Sequence, residues 1–189
     1  MRVIKALLVF GVGALVAGCA STPQTAPVVE DKPPQEVVAA KAAAVLEARG
    51  FAAIGEASSL TLPAAQDRAL RRARAALADM VASRVQDLQA DYLESTSVAD
   101  PEQVQAWFAG VERYVRDLIL GGARPTMEEF RMDEGLATVW ILLQEDPGII
   151  VQALEIRGTA NRQLFELVRG SRGYRALLAE AEQYAAFRR

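Results

Sequence analysis

The chain has 189 residues, a formal net charge of −3 and no histidine, with one cysteine and lysine only at positions 5, 32 and 41. These counts exclude histidine bases and metal sites built on histidine or several cysteines, and they leave carboxylates as the main acid/base groups. The mild acidity argues against nucleic acid, which favours a basic face.

The first nineteen residues read MRVIKALLVFGVGALVAGC. Arg2 and Lys5 form a short positive region, residues 6–16 are apolar, and the small residues Ala17 and Gly18 follow, which is the layout of a secretory signal peptide. The run is too short to span a bilayer, which takes roughly 20 residues. Leu15-Val16-Ala17-Gly18-Cys19 resembles the lipobox of bacterial lipoproteins. That resemblance implies a diacylglycerol on the Cys19 thiol, cleavage before it, and acylation (often palmitate) of the new amine. One chain anchors only marginally, at about 0.8 kcal/mol per buried methylene, whereas two or three on one residue anchor firmly. Ala20, where an aspartate would resemble an inner-membrane retention signal, implies the outer membrane of a diderm cell, facing the periplasm. Cutting residues 1–18 from 189 leaves 171, enough for one domain. Removal of Arg2 and Lys5 from 21 basic residues leaves 19 against 24 acidic ones, net −5. With Cys19 lipidated, no thiol remains for a disulfide or a nucleophile.

Residues 20–35, ASTPQTAPVVEDKPPQ, hold four of the eight prolines. With the lipidated cysteine they form a tether, residues 19–35, that reaches roughly 50 Å at ~3.3 Å per residue. Residues 36–189 are expected to form a single domain with a helical extension at its C-terminal end. Its first segment is a helix ending at Gly50. Residues 51–62 follow as a strand, and Pro63 opens a long helix whose apolar face carries Leu70, Ala73, Leu77, Met80, Val81, Val85, Leu88 and Tyr92. Arg68, Arg71, Arg72 and Arg74 are expected to be solvated off that face. Asp100-Pro101-Glu102-Gln103 starts another helix, with Val104, Trp107, Phe108, Val111, Tyr114, Val115 and Leu118 as a core stripe and Gly121-Gly122 as its end. Phe130 and Met132 alternate with Glu129 and Arg131 in a strand, Asp133-Glu134-Gly135 turns the chain, and residues 136–143 return as a mostly buried strand around Trp140. Asp146-Pro147-Gly148 closes it, and short helices are expected at 149–154, 161–168 and 174–187. The expected fold class is α+β: a small antiparallel sheet packed against two long amphipathic helices, with further C-terminal helices.

The carboxylates Glu128-Glu129 and Asp133-Glu134 are the most visible acid/base candidates. Adjacent strand residues face opposite ways, so the first pair cannot easily share a site, and the second sits in a turn. No phosphate-binding glycine motif is present, and neither a cofactor nor a metal is expected. The stretch GFAAIGEASSLTLPAAQDRALRRARAALADMVASRV, with the later ATVWILLQED, resembles the Lpp-twenty family of bacterial surface and outer-membrane lipoproteins, FlgP-like lipoproteins included. The resembling features are a Gly-containing strand and an Ala-rich helix carrying Ala69, Arg72, Ala73, Ala76, Leu77 and Val85. It implies a small α+β domain, a non-catalytic structural role in the cell envelope, and no catalytic residues. The expected function is therefore a membrane-anchored lipoprotein that assembles envelope structure, with an envelope protein or a second copy of itself as partner. Two other readings remain open: a periplasmic binding module for an apolar or lipidic ligand, and a carboxylate-dependent envelope hydrolase.

Overall fold

The computed structural model describes residues 32–96 and 100–189. Within them the order is α1 (Pro34–Glu47), β1 (Phe51–Ser59), α2 (Leu62–Ser95), α3 (Pro101–Gly122), β2 (Met127–Asp133), β3 (Leu136–Glu145), α4 (Gly148–Gly158), α5 (Arg162–Arg169) and α6 (Arg172–Phe187). The strands form one antiparallel sheet in the order β1-β3-β2. The fold is α+β, as expected. The central strand β3 runs to Glu145, two residues beyond its expected end, because β1 pairs with it along its whole length, from Phe51 opposite Glu145 to Ser59 opposite Ala137.

Alternation along β3 divides the core. Ala137, Val139, Ile141 and Leu143 face α2 within the larger apolar cluster, whereas Trp140 and Leu142 face the other way, joining Val38, Ala42 and Val45 of α1 and Tyr184 of α6. Helix α1 therefore covers the face of the sheet opposite α2. It starts at Pro34, two residues before the expected domain start, because proline suits the first helical turn. The stop expected at Gly50 falls one residue earlier. Arg49 takes the left-handed conformation at φ 68°, while Gly50 N–H donates to the Val45 carbonyl at 2.9 Å. Gly50 is needed for a different reason: a Cβ there would lie 2.3 Å from the Tyr184 ring.

Helix α2 approaches β1 closely enough to be felt as backbone against backbone. A Cβ on Gly55 would sit 1.9 Å from the Ala69 carbonyl oxygen and 2.6 Å from the Ala73 nitrogen. The buried face here is Ala65, Ala69 and Ala73, while Leu70 and Met80, expected in the core stripe, are only half-buried. Beyond the sheet the face continues through Leu77, Val81, Val85, Leu88 and Tyr92, where α3 runs antiparallel along it. Helix α3 is capped as its sequence predicts, with Asp100 Oδ1 accepting from Gln103 N–H at 3.0 Å. Val104, Trp107, Phe108, Val111 and Val115 are buried, and Ile119 completes the stripe in place of Leu118, which is exposed, and Tyr114, which is half-buried.

Polar contacts hold these layers in place. Arg116 bridges Asp79 at 2.7 Å and Glu112 at 3.1 Å, and Arg84 forks onto Glu180 at 3.2 and 3.1 Å, tying α6 to α2. Of the four arginines expected to be solvated, Arg68, Arg71 and Arg72 are exposed, Arg71 pairing with Asp67, and Arg74 alone is half-buried. Half-buried Arg74 donates twice to the Ala123 carbonyl just past the end of α3, and Arg72 donates to the Glu56 carbonyl of β1. Both acceptors lie far along the chain, so helical periodicity could not reveal them. The last three helices begin or end slightly outside their expected bounds, with Asn161 and Ser171 capping α5 and α6 through Leu164 N–H and Tyr174 N–H.

Candidate functional site

Cys19 lies outside the described residues, so the lipidation site is not among the geometry that follows. The carboxylate candidates do not converge. Glu128 and Glu129 are neighbours on β2 and alternate in facing, and Glu128 accepts from the Gln66 amide of α2. Asp133 and Glu134 stand exposed at the hairpin, where Glu134 (φ 50°) and Gly135 (φ 82°) supply the two left-handed residues of a tight two-residue turn. Phe130 and Met132 differ from the pattern of a covered strand. They are 51% and 56% exposed, because α2 packs over β1 and β3 and stops short of β2.

A cleft of about 620 Å³ opens where β3 ends, between the end of α3, the start of α4 and the end of α6. Arg124 and Arg188 face Gln144, Glu145, Asp146 and Gln152 across it. Burial pushes the Glu145 carboxyl above the usual carboxylate range; the Asp146 N–H, donating at 3.1 Å, and the charge of Arg188 oppose this, while the charge of Asp146 adds to it. Asp146 Oδ1 in turn accepts from Gly148 N–H at 2.8 Å, at the first residue of α4. Tyr184, whose hydroxyl is also pushed upward by burial, reaches Gln144 at 3.5 Å. The two acids thus hold the chain's turn into α4. The arrangement offers charged and amide groups of both polarities to a polar or charged solute. Sequence reasoning missed Arg124, Arg188 and Glu145, which come from three distant segments and share no spacing signal. Asp146 was visible only as a strand terminator.

The raised Glu145 carboxyl has a consequence for stability. The folded chain holds that proton more tightly than the unfolded chain, so folding takes up a proton between the ordinary carboxylate range and the elevated one. Stability contributed by the protonated form is therefore present at low pH and lost as pH rises through that window. Glu145→Gln keeps an acceptor for Asp146 N–H and removes the buried charge. It should raise the melting temperature near neutral pH and give no gain below about pH 4, near the unperturbed carboxylate value. An equal gain at both pH values in thermal melts would show that charge burial is not the cause.

Among the described residues one buried side-chain polar atom, the Trp140 indole nitrogen, has no hydrogen-bond partner. It is sealed from solvent in the smaller cluster under α1, so it is not positioned to meet a solute. Among the described residues no group of three or more metal-ligating side chains converges, and no helix is long and apolar enough to cross a membrane. No protein-family model matches the chain, and no curated protein or solved structure matches it.

Proposed function

We propose that the protein is a lipoprotein of the cell envelope, held on the outer membrane through Cys19 and facing the periplasm, with a structural or assembly role rather than a catalytic one. The observation that carries this reading is the segment Leu15-Val16-Ala17-Gly18-Cys19 behind a short apolar run, followed by a proline-rich tether that leads into a compact α+β domain. The kinship to the Lpp-twenty family belongs to the same proposal, resting on the Gly55 strand and the alanine-rich α2. A role in assembly is supported by how the domain uses its residues. Its aromatic stripe is packed in the core, several of its acids, among them Asp100, Asp79 and Glu180, cap a helix or pair with arginines, and among the described residues an uncovered apolar strand lies at the rim of the sheet.

The anchoring claim is tested by Cys19→Ala. The unaltered chain should stay with the membrane pellet through high-salt and alkaline washes, whereas the variant should move to the soluble fraction. A variant that remains in the washed pellet would falsify anchoring through this residue. The assembly claim is tested by crosslinking in intact cells: recurring adducts with an envelope protein or with a second copy support it, and exclusive monomer opposes it.

A further inference from the structure

Among the described residues strand β2 is an edge strand, paired with β3 on one side and with no strand on the other. An open edge presents unpaired N–H and C=O groups, and proteins usually guard it with charge. The seven residues of β2, Met127-Glu128-Glu129-Phe130-Arg131-Met132-Asp133, do carry charge, but in an order that is self-complementary. If two copies pair antiparallel about Phe130, Glu129 of each lies opposite Arg131 of the other on one face. On the other face Phe130 meets Phe130, flanked by Glu128 opposite Met132. Phe130 is the midpoint of the strand, so this register also uses its full length.

Other registers are worse. Centring on Glu129 puts Glu129 opposite Glu129, and centring on Arg131 puts Arg131 opposite Arg131 and Glu129 opposite Asp133. Centring on Met132 restores an Arg131–Asp133 pair but overlaps only three strand residues. Half-step registers turn one sheet over and set Phe130 against the charged Glu129 or Arg131. Directly opposed like charges are destabilising, whereas opposite charges and aromatic pairs each contribute about 0.2–1 kcal/mol. The charges that guard the edge at other registers thus admit one.

We infer that two copies of the chain join edge to edge through β2, centred on Phe130, making a continuous six-stranded antiparallel sheet with two-fold symmetry. The inference deepens the assembly reading and rests on it for its biological use, but its geometry stands on β2 alone. The approach is open. Phe130 and Met132 are each more than half exposed. Among the described residues Arg131 forms an ion pair only with the exposed Asp133 of its own strand at 3.6 Å, a pair worth little in water, so it is available to a second copy. The far edge of the sheet is different, since Arg72 already donates to the Glu56 carbonyl of β1. A seven-residue strand pairing is weak between free molecules, and confinement on one membrane would raise the effective concentration that drives it.

The test uses the full chain in cells, with disulfide capture at engineered positions. Opposed residues in an antiparallel pair have Cα atoms about 4.5–5.5 Å apart, within disulfide range. Phe130→Cys should therefore crosslink to itself. Asp133→Cys should not, because two copies of that position would lie roughly 20 Å apart along the strands. In the F130C background, E129R alone or R131E alone should cut the crosslinked fraction about tenfold, as two attractive contacts become repulsive, and the two together should restore it. Equal crosslinking at 130 and 133, indifference to either charge reversal, or failure of the double reversal to restore capture would each overturn the proposal. The anchoring claim fails separately. A membrane-bound chain that shows no capture at 130 overturns the pairing alone, and a Cys19→Ala chain that stays in the washed pellet yet is captured at 130 overturns the anchoring alone.

Discussion

Gly55→Ala should destabilise the domain by about 3 kcal/mol or more, the upper part of the range for overpacking. The added Cβ would meet the Ala69 carbonyl oxygen at 1.9 Å, the Ala73 nitrogen at 2.6 Å and the Ala69 carbonyl carbon at 2.9 Å. All three belong to the backbone of α2, so no side-chain rotation can relieve the contact. Either the helix lifts from β1, opening gaps around Ala65, Ala69 and Ala73, or the strand loses its register with Ile141 on β3. Replacing glycine within a strand ordinarily gains roughly 0.5–1 kcal/mol, so the measured loss would understate the clash. Gly121→Ala is the control. It sits near the end of α3 with nothing within 4 Å of the added atom, and should be neutral or mildly stabilising. Urea titrations of both variants decide the matter; an unchanged midpoint for Gly55→Ala would mean the helix does not approach the strand this closely.

Phe108→Ala should cost about 3–5 kcal/mol, the usual consequence of removing a buried aromatic ring. Phe108 is 1% exposed, with Trp107 edge-on at 5.1 Å between ring centres and Tyr92 of α2 tilted at 6.4 Å. Trp107 is held in turn by its indole N–H, which donates to the Arg157 carbonyl at 3.2 Å and so links α3 to α4. Truncation at 108 therefore opens a cavity beneath three helices that have little freedom to collapse into it. The same variant separates two views of the aromatic stripe. A core residue should reduce the unfolding free energy strongly with no compensating effect of added lipid, while a ligand-facing residue should leave the empty protein nearly as stable as before.

The long elements were legible because their apolar spacing reports burial directly. The 3.6-residue stripe of α3, the Asp100 cap and the Asp133-Glu134-Gly135 turn all stand where local chemistry places them. The alanine face of α2 was legible only in part. Alanine favours helix whether buried or exposed, so Ala65 and Ala69 carry no directional signal until Gly55 is seen across from them. Strand β2 misled in the opposite sense. Its alternation of Phe130 and Met132 with charged residues is that of a half-buried strand, yet what covers an edge depends on where neighbouring helices end, and α2 passes over β1 and β3 instead. The cleft around Glu145 was not legible at all, since segments near 124, 145 and 188 meet only through the tertiary fold. Cys19 is the reverse case: its reading came from local sequence alone.

The division of the apolar residues into two clusters has a mechanical side. Helix α1 is the first described element, and its buried residues Val38, Ala42 and Val45 belong to the smaller cluster, apart from the one that joins α2, α3 and the other face of the sheet. A pull applied from the Lys32 end therefore loads α1 before anything else. Its contacts on the sheet would peel one turn after another, rather than shear all at once. Paying out fourteen residues of helix in this way lengthens the chain by roughly 1.8 Å per residue, the difference between extended and helical rise, or about 25 Å, while the larger cluster stays closed. Layered under tension, the domain would yield at its thin side first and keep its main body folded.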